Sequence, residues 1–382
     1  MAESIGVIET ATACGRRFGS VVLQAQGSLN ALSLTMVDGL QAQLTRWAAD
    51  PEIVAVVLSG EGEKAFCAGG DLRDLYQSIL DCGSEANGYA RQFFSREYRL
   101  DYLIHTYPKP LLCWGNGIVM GGGMGLMAGA SHRVVTERTR MAMPEIAIGL
   151  FPDVGGSWFL NRLPGRTGLF LALTGAPLNA ADAFFAGLAD FQLPHASFAD
   201  LNDAMAKATW GEDASGNAIL LSHLIEALAQ SMPGASGATS AAAAAAPASN
   251  LRKYVDEIRT LMGHDGLADI AARLQQAAKG ESWVGVAAAN FAKGSPTSAS
   301  LAFSLLQRAR HLSLREVFQM EFNVAVGCCA HHDFREGIRA LLIEKDRRPR
   351  WQPARLQEVD EALVADHFRP RQPGANPLAD LR

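Results

Sequence analysis

Two short apolar runs constrain this chain most: Ile53-Val54-Ala55-Val56-Val57-Leu58 and Pro110 to Trp114, each followed by a glycine-rich loop. Runs without polar alternation read as strands covered on both faces, the pattern of a parallel sheet between helices. Their surroundings agree. Val21 to Ala25 reads as a further strand, and Ser33 can cap a helix carrying Leu34, Val37, Leu40, Leu44 and Trp47 at helical spacing. Asp50-Pro51 ends that helix. A helical stretch reaches Tyr107, a short apolar helix spans Met124 to Ala130, and His132 to Glu137 returns as a strand. Strand, loop and helix in this alternation predict an α/β core with parallel pairing.

Beyond about Gly165 helical patterns take over, at Leu169 to Leu173, Ala180 to Ala186, Ile219 to Ala229 and Leu251 to Leu342. The chain is therefore expected to divide into a core at 1–190 and a mainly helical C-terminal region at 191–382. An Ala/Gly/Ser-rich insert at about 231–250 interrupts the second part. Its glycine, serine and proline neighbours make the six alanines Ala241 to Ala246 a surface linker. At 382 residues the chain has room for a large domain and an appendage.

Charge excludes some partners. A formal charge of -5 gives no general attraction for nucleic acid or anionic lipid. The local basic stretch Lys345, Arg347, Arg348, Arg350 and Arg355 reads as a solvated tail rather than a nucleic-acid strip. No apolar run approaches the ~20 residues of a membrane span. Six cysteines without CxxC spacing suit reduced thiols, and the opening residues lack the apolar segment of a secretory signal. The expected location is the cytoplasm, with neither nucleic acid nor membrane as partner.

The two glycine loops read Lys64-Ala65-Phe66-Cys67-Ala68-Gly69-Gly70-Asp71 and Gly117-Ile118-Val119-Met120-Gly121-Gly122-Gly123-Met124-Gly125. Loops at the carboxyl ends of such strands are where α/β sheets bind ligands. Glycine lets backbone N–H groups approach a ligand closely, and one amide from each loop could hold an oxyanion. Close packing of backbone at turns explains the same glycines, so both readings stay open here. Glu145 and Asp153 are the only charged residues between Arg140 and Arg162. Carboxyls in apolar surroundings are costly without a partner or a task, and two in one pocket can divide acid and base roles. Asp153 before Gly155-Gly156 also fits a helix cap.

Three other patterns carry less. Gly123-x-Gly125-x-x-Ala128, with Glu145 about twenty positions on, imitates a dinucleotide fingerprint, but its helix looks too short. Cys328-Cys329-Ala330-His331-His332-Asp333 offers metal-ligand types, yet adjacent ligands close a tetrahedron poorly. Cys67 has no histidine nearby in sequence to activate it and reads as a small residue filling a turn.

The Ala-Phe-Cys-Ala-Gly-Gly-Asp loop, the Gly-Gly-Gly loop and Pro144-Glu145 together resemble the crotonase (enoyl-CoA hydratase/isomerase) superfamily. The resemblance, clearest from about Gly19 to Asp190, implies a ββα spiral core of the α/β class with a C-terminal helical region. It also implies an acyl-CoA substrate whose thioester carbonyl lies between amides near Ala68 or Gly69 and at Gly122.

Finer detail separates activities within that superfamily. Hydratases resemble GGGxE in the second loop, whereas this chain has Gly125 where that glutamate would stand. Asp153 in Gly-Leu-Phe-Pro-Asp-Val-Gly-Gly and Glu97 in Phe-Phe-Ser-Arg-Glu-Tyr resemble instead the 3-hydroxyisobutyryl-CoA hydrolase branch. So do Asp333 to Ala340, Lys345-Asp346 and Pro349-Arg350-Trp351. The Ala-rich insert departs from that pattern.

By this resemblance Glu145 is the main catalytic carboxylate, acting on the thioester carbon or by activating water. Asp153 orients a 3-hydroxyl or protonates the leaving thiolate, and Glu97 and Gly122 complete the substrate site. Lys64 and Arg73 flank the first loop as candidate phosphate contacts. No metal or redox cofactor is implied, since CoA enters with the substrate. The implied reaction is hydrolysis of a 3-hydroxyacyl-CoA, as in valine catabolism. An enoyl-CoA hydratase or isomerase, or a non-catalytic acyl-CoA-binding member, are the alternatives. Homo-oligomers, common in that superfamily, remain open on sequence alone.

Overall fold

The computed structural model describes residues 4–83, 87–231, 247–264, 266–371 and 374–382. Most of the Ala-rich insert lies outside the described residues. Contacts divide the chain into two units that interleave along the sequence: Met1–Gly70, Leu103–Met141 and Leu178–Ser249 form the first, and Asp71–Tyr102, Ala142–Pro177 and Asn250–Arg382 the second.

The first unit is built on β1 (Ser4–Ala11), β2 (Arg17–Gln24), β3 (Ile53–Gly60), β4 (Ala65–Cys67), β5 (Leu111–Gly115), β6 (Ile118–Met120), β7 (His132–Val135), β8 (Arg140–Ala142) and β9 (Phe191–Gln192). Six of them form one sheet in the order β1-β2-β3-β5-β7-β9; β4-β6-β8 form a second. β1 is antiparallel to β2, and every later pair in the large sheet is parallel. In β3 every residue from Ile53 to Ser59 is buried, as the unbroken apolar run requires. Val54, Ala55, Val57, Leu112, Trp114 and Val134 meet Leu201, Met205, Leu221 and Ile225 of the Phe198–Lys207 and Ala214–Ser231 helices in one core. At roughly 1.5–3 kcal/mol for each fully buried large apolar side chain, that layer holds the sheet's face.

Ser33 caps the Leu34–Ala49 helix by accepting the Met36 N–H, which confirms the sequence reading of that start. The buried stripe is Met36, Val37, Leu40, Leu44 and Trp47, so Met36 takes the inward place expected of Leu34. The stretch expected to run helical to Tyr107 is two helices, Leu72–Cys82 and Gly88–His105. The strand expected to reach Glu137 stops at Val135.

The second unit is helical. Its Thr167–Thr174 helix, TGLFLALT, is buried on all sides, as a helix without a polar face must be. It packs against the Trp283–Lys293 and Pro296–Arg308 helices, with the Phe170 and Trp283 ring centroids 5.7 Å apart. The Leu314–Ala330 helix begins in a capping box between Ser313 and Glu316.

Candidate active site

In the first unit the two glycine loops lie side by side. β4 pairs with β6 in parallel, and each strand runs into one loop. Gly69 has φ +112°, a backbone only glycine adopts readily. A Cβ there would lie 3.8 Å from the Gly122 nitrogen. Gly122 opens the Gly122–Ala128 helix, so its N–H points out of the first turn without a helical partner. Among the described residues neither the Gly69 nor the Gly122 N–H carries a hydrogen bond, whereas the Ala68 N–H donates to the Leu29 carbonyl at 3.1 Å. Two adjacent unpartnered amides make an oxyanion pair chemically feasible, with Gly69 rather than Ala68 as the first donor. Close packing also holds, but at another glycine: a Cβ on Gly123 would stand 2.4 Å from the Cys67 carbonyl oxygen. Cys67 is buried, with its thiol on the Gly69 carbonyl at 3.7 Å.

The second unit holds the acids. Glu97, Asp101, Glu145, Asp153 and Glu321 are all buried, and among the described residues none forms an ion pair with a cation. Glu145 opens a 3-10 turn, Glu145–Ile148, after Pro144. Its Oε2 is buried without a hydrogen-bond partner, and burial, then the nearby Asp153, pushes its carboxyl well above the usual range. Burial raises Asp153 too, to about 6, against the pull of the Tyr98 hydroxyl that donates to its Oδ2 at 2.7 Å. Glu97 is held well above its ordinary value by burial, then by Asp153. The structure thus brings three expected residues, Glu97, Glu145 and Asp153, into one electrostatic cluster.

Three members of that cluster have no role in the sequence reading: Tyr98, present there only within the Phe-Phe-Ser-Arg-Glu-Tyr motif, Asp101 and Glu321. Asp101 sits one helical turn after Glu97, with both carboxyl oxygens buried and unpartnered; burial, then Glu97, keeps it protonated well above the usual range. Glu321 accepts the Gly155 and Ser157 N–H groups at 2.8 Å each, and burial lifts it to about 8. Asp153 does not cap with its side chain the short Gly156–Phe159 helix that follows, so the cap reading falls. Its main-chain carbonyl instead accepts the Gly156 N–H at 2.7 Å across a turn.

The C-terminal segment has a mechanical task. The His332–Ile338 helix packs on the turn that carries Glu145. A Cβ on Gly337 would lie 2.2 Å from the Ile148 carbonyl oxygen, and one on Gly149 would lie 2.3 Å from that of Asp333. Asp333 accepts the Ser295 hydroxyl at 2.6 Å and the Gln352 N–H at 2.8 Å, while the Ser295 N–H donates to Ile146 at 2.9 Å. The last of these bonds ties the Glu145 turn to Ser295, and through Ser295 and Asp333 it is linked to the segment at Gln352. The cysteine-histidine run is absorbed as well: Cys328 and Cys329 are buried in a helix, His331 meets Asp366, and His332 meets the Arg350 carbonyl.

Among the described residues no helix is long and apolar enough to cross a membrane. Residues 18–368 match a family model described as enoyl-CoA hydratase/isomerase. The chain is 37% identical over 353 residues to the mitochondrial 3-hydroxyisobutyryl-CoA hydrolase of Gallus gallus, covering 92% of this chain and 86% of that one. The human protein of the same name is 36% identical over 352 residues, with the same coverages. A carnitinyl-CoA dehydratase from Mycobacterium thermoresistibile superposes with TM-score 0.80 at 37% identity, over 95% of this chain and 96% of that one. An enoyl-CoA hydratase from Rhodobacter sphaeroides 2.4.1 gives 0.79 at 35% identity, over 95% and 97%. The fold is accordingly that of the crotonases, with its sheet core and helical C-terminal region, and the chain belongs to the enoyl-CoA hydratase/isomerase family.

Proposed function

We propose that this chain hydrolyses a 3-hydroxyacyl-CoA thioester, with 3-hydroxyisobutyryl-CoA the first candidate, to the free hydroxy acid and CoA. The observation that carries the reading is the pairing of acids. Position 125 is a glycine buried inside the Gly122–Ala128 helix, so the second carboxylate of a hydratase is missing there. Asp153 is instead the acid whose charge Glu145 feels. The relatives named 3-hydroxyisobutyryl-CoA hydrolase, similar over nine-tenths of the chain, support the same choice.

Roles follow the family pattern residue by residue. The Gly69 and Gly122 amides stabilise the negative charge that develops on the thioester oxygen; each such donor is worth ~10² to 10³ in rate. Glu145, once ionised, attacks the carbonyl carbon or takes a proton from the water that does. In the first route an acyl-Glu145 anhydride forms, the C–S bond breaks, CoA leaves as thiolate, and water then opens the anhydride. In the second, hydroxide adds directly and the same C–S bond breaks. Label in Glu145 after single turnover in ¹⁸O-water identifies the anhydride route with water adding at the Glu145 carbonyl, since the direct route cannot place it there. Asp153 accepts the substrate's 3-hydroxyl, and Glu97 borders the same acyl chain. Water and these side chains supply every reacting group, so CoA enters as part of the substrate and no resident cofactor is invoked.

Valine breakdown is the process we assign. We also assign the cytoplasm, a reducing compartment suited to six free cysteines; "mitochondrial" is a word in the relatives' names. The test is CoA release from a panel of 3-hydroxyacyl-CoAs, followed with a thiol reagent, beside hydration of crotonyl-CoA followed by loss of enone absorbance. Rapid thiol release without hydration supports the reading; hydration without thiol release overturns it in favour of a hydratase.

A further inference from the structure

Asp153 begins a tight turn whose two central residues, Val154 at φ +52° and Gly155 at φ +84°, are both left-handed. Glycine adopts that backbone without cost, but a β-branched valine does not. Something must hold the turn. Glu321 reaches it from the Leu314–Ala330 helix, far away in sequence, with a carboxyl that is fully buried. Its Oε2 accepts the Gly155 N–H and its Oε1 the Ser157 N–H, both at 2.8 Å. Both oxygens are therefore committed to the backbone just after Asp153. Phe318, one turn earlier on the same helix, closes the turn from the side: a Cβ on Gly155 would stand 3.1 Å from its ring. The Phe318 ring also lies 5.8 Å from that of Tyr98, the residue whose hydroxyl meets Asp153. A carboxyl buried without a cation is costly, and two backbone amides alone are a poor reason to keep one.

We propose that Glu321 is a positioning residue for the reaction, holding the Val154–Gly155 turn in its left-handed form so that the Asp153 carboxyl stays on the Tyr98 hydroxyl. The inference rests on the role given to Asp153 above. Glu321 touches no reacting atom in this account and acts only through Asp153.

The test is a double-mutant cycle of Glu321→Gln and Asp153→Ala, assayed on 3-hydroxyisobutyryl-CoA. Glutamine keeps the shape but sets an NH2, which cannot accept, against one of the two backbone N–H groups, where a carboxyl oxygen can accept in either protonation state. Glu321→Gln should lower kcat, expressed per folded enzyme as counted by circular dichroism, about 10- to 100-fold with KM moved less than about threefold. In the Asp153→Ala background the same substitution should cost less than about twofold, as expected of residues acting as one unit. Full kcat in Glu321→Gln, or losses that multiply in the double variant, would overturn the proposal. Should the glutamine variant fail to fold, Glu321→Asp serves in the same cycle. If Asp153→Ala alone keeps wild-type kcat, the role of Asp153 has failed. The positioning claim is then decided by a crystal structure of Glu321→Gln: departure of the Asp153 carboxyl from Tyr98 supports it, and an unchanged turn overturns it.

Discussion

Tyr98 donates its phenolic hydrogen to Asp153 Oδ2 at 2.7 Å, from the same helix that carries Glu97 and Asp101. That bond favours the ionised form of Asp153 and restrains the rise that burial imposes. Asp153 faces Glu97, Tyr98 and Asp101 on this helix, Glu145 on its own turn, and Glu321 on another helix, all acids or neutral groups. Tyr98→Phe should move the Asp153 titration upward from about 6. Because Glu145 must be ionised for every substrate, the ratio of kcat/KM for 3-hydroxyisobutyryl-CoA over isobutyryl-CoA isolates Asp153, and its acidic limb should shift to higher pH. At pH 6 that ratio should fall, and at pH 9 much less. A pH–rate profile of both proteins checks this; an unmoved limb speaks against the assignment.

Glu145→Gln keeps the side-chain volume and removes the base or nucleophile. Turnover should fall by at least ~10², with acyl-CoA binding largely retained. Unchanged turnover with 3-hydroxyisobutyryl-CoA would remove Glu145 from the chemistry.

The buried acids also set a pH dependence of stability. Unfolded carboxyls ionise near pH 4, whereas in the fold Asp153 holds its proton to about 6, Glu321 to about 8, and Glu97, Asp101 and Glu145 well above the ordinary range. Between about pH 4 and 8 the folded chain therefore binds more protons than the unfolded chain, so stability falls as pH rises through that window. The melting temperature should be higher at pH 5.5 than at pH 8. Glu145→Gln, which carries no such penalty, should melt above wild type at pH 8 and close to it at pH 5. Scanning calorimetry of both proteins at the two pH values measures this, and a gap that widens toward acid would contradict it.

Gly337→Ala tests the support behind Glu145. The added methyl would stand 2.2 Å from the Ile148 carbonyl oxygen, which is backbone and cannot swing away. The helix must shift, at about 1–3 kcal/mol by analogy with overpacked cores, and the Glu145 turn should shift with it. Stability and kcat should fall together, whereas a loss of stability with full kcat would show that the turn is held without this helix.

Much of the core was legible in the sequence because its signals are local. An unbroken apolar run marks β3, and Ser33 marks its helix start by a cap that needs only three residues. The acids at Glu145 and Asp153 stood out because their neighbours are apolar. Tyr98 and Asp101 did not, since a helix reading Arg-Glu-Tyr-Arg-Leu-Asp looks like a solvated face, and only tertiary packing buries one side of it. Glu321 hid for the opposite reason: one acid in a helical run passes as its polar edge, and its partners lie more than 160 residues away. The short strands β4, β6 and β8 gave no period to read, yet their pairing is what aligns the two glycine loops.

The most direct test of the account is whether Asp153 reads the substrate's hydroxyl. A buried acid left without its partner stays desolvated, so a site built on that bond rejects analogues lacking it strongly. The measurement is kcat/KM for 3-hydroxyisobutyryl-CoA and for isobutyryl-CoA, with wild type and with Asp153→Ala. The account predicts a preference for the hydroxylated substrate of at least ~10² in wild type, shrinking at least tenfold in the variant. The same ratio in both proteins would contradict it.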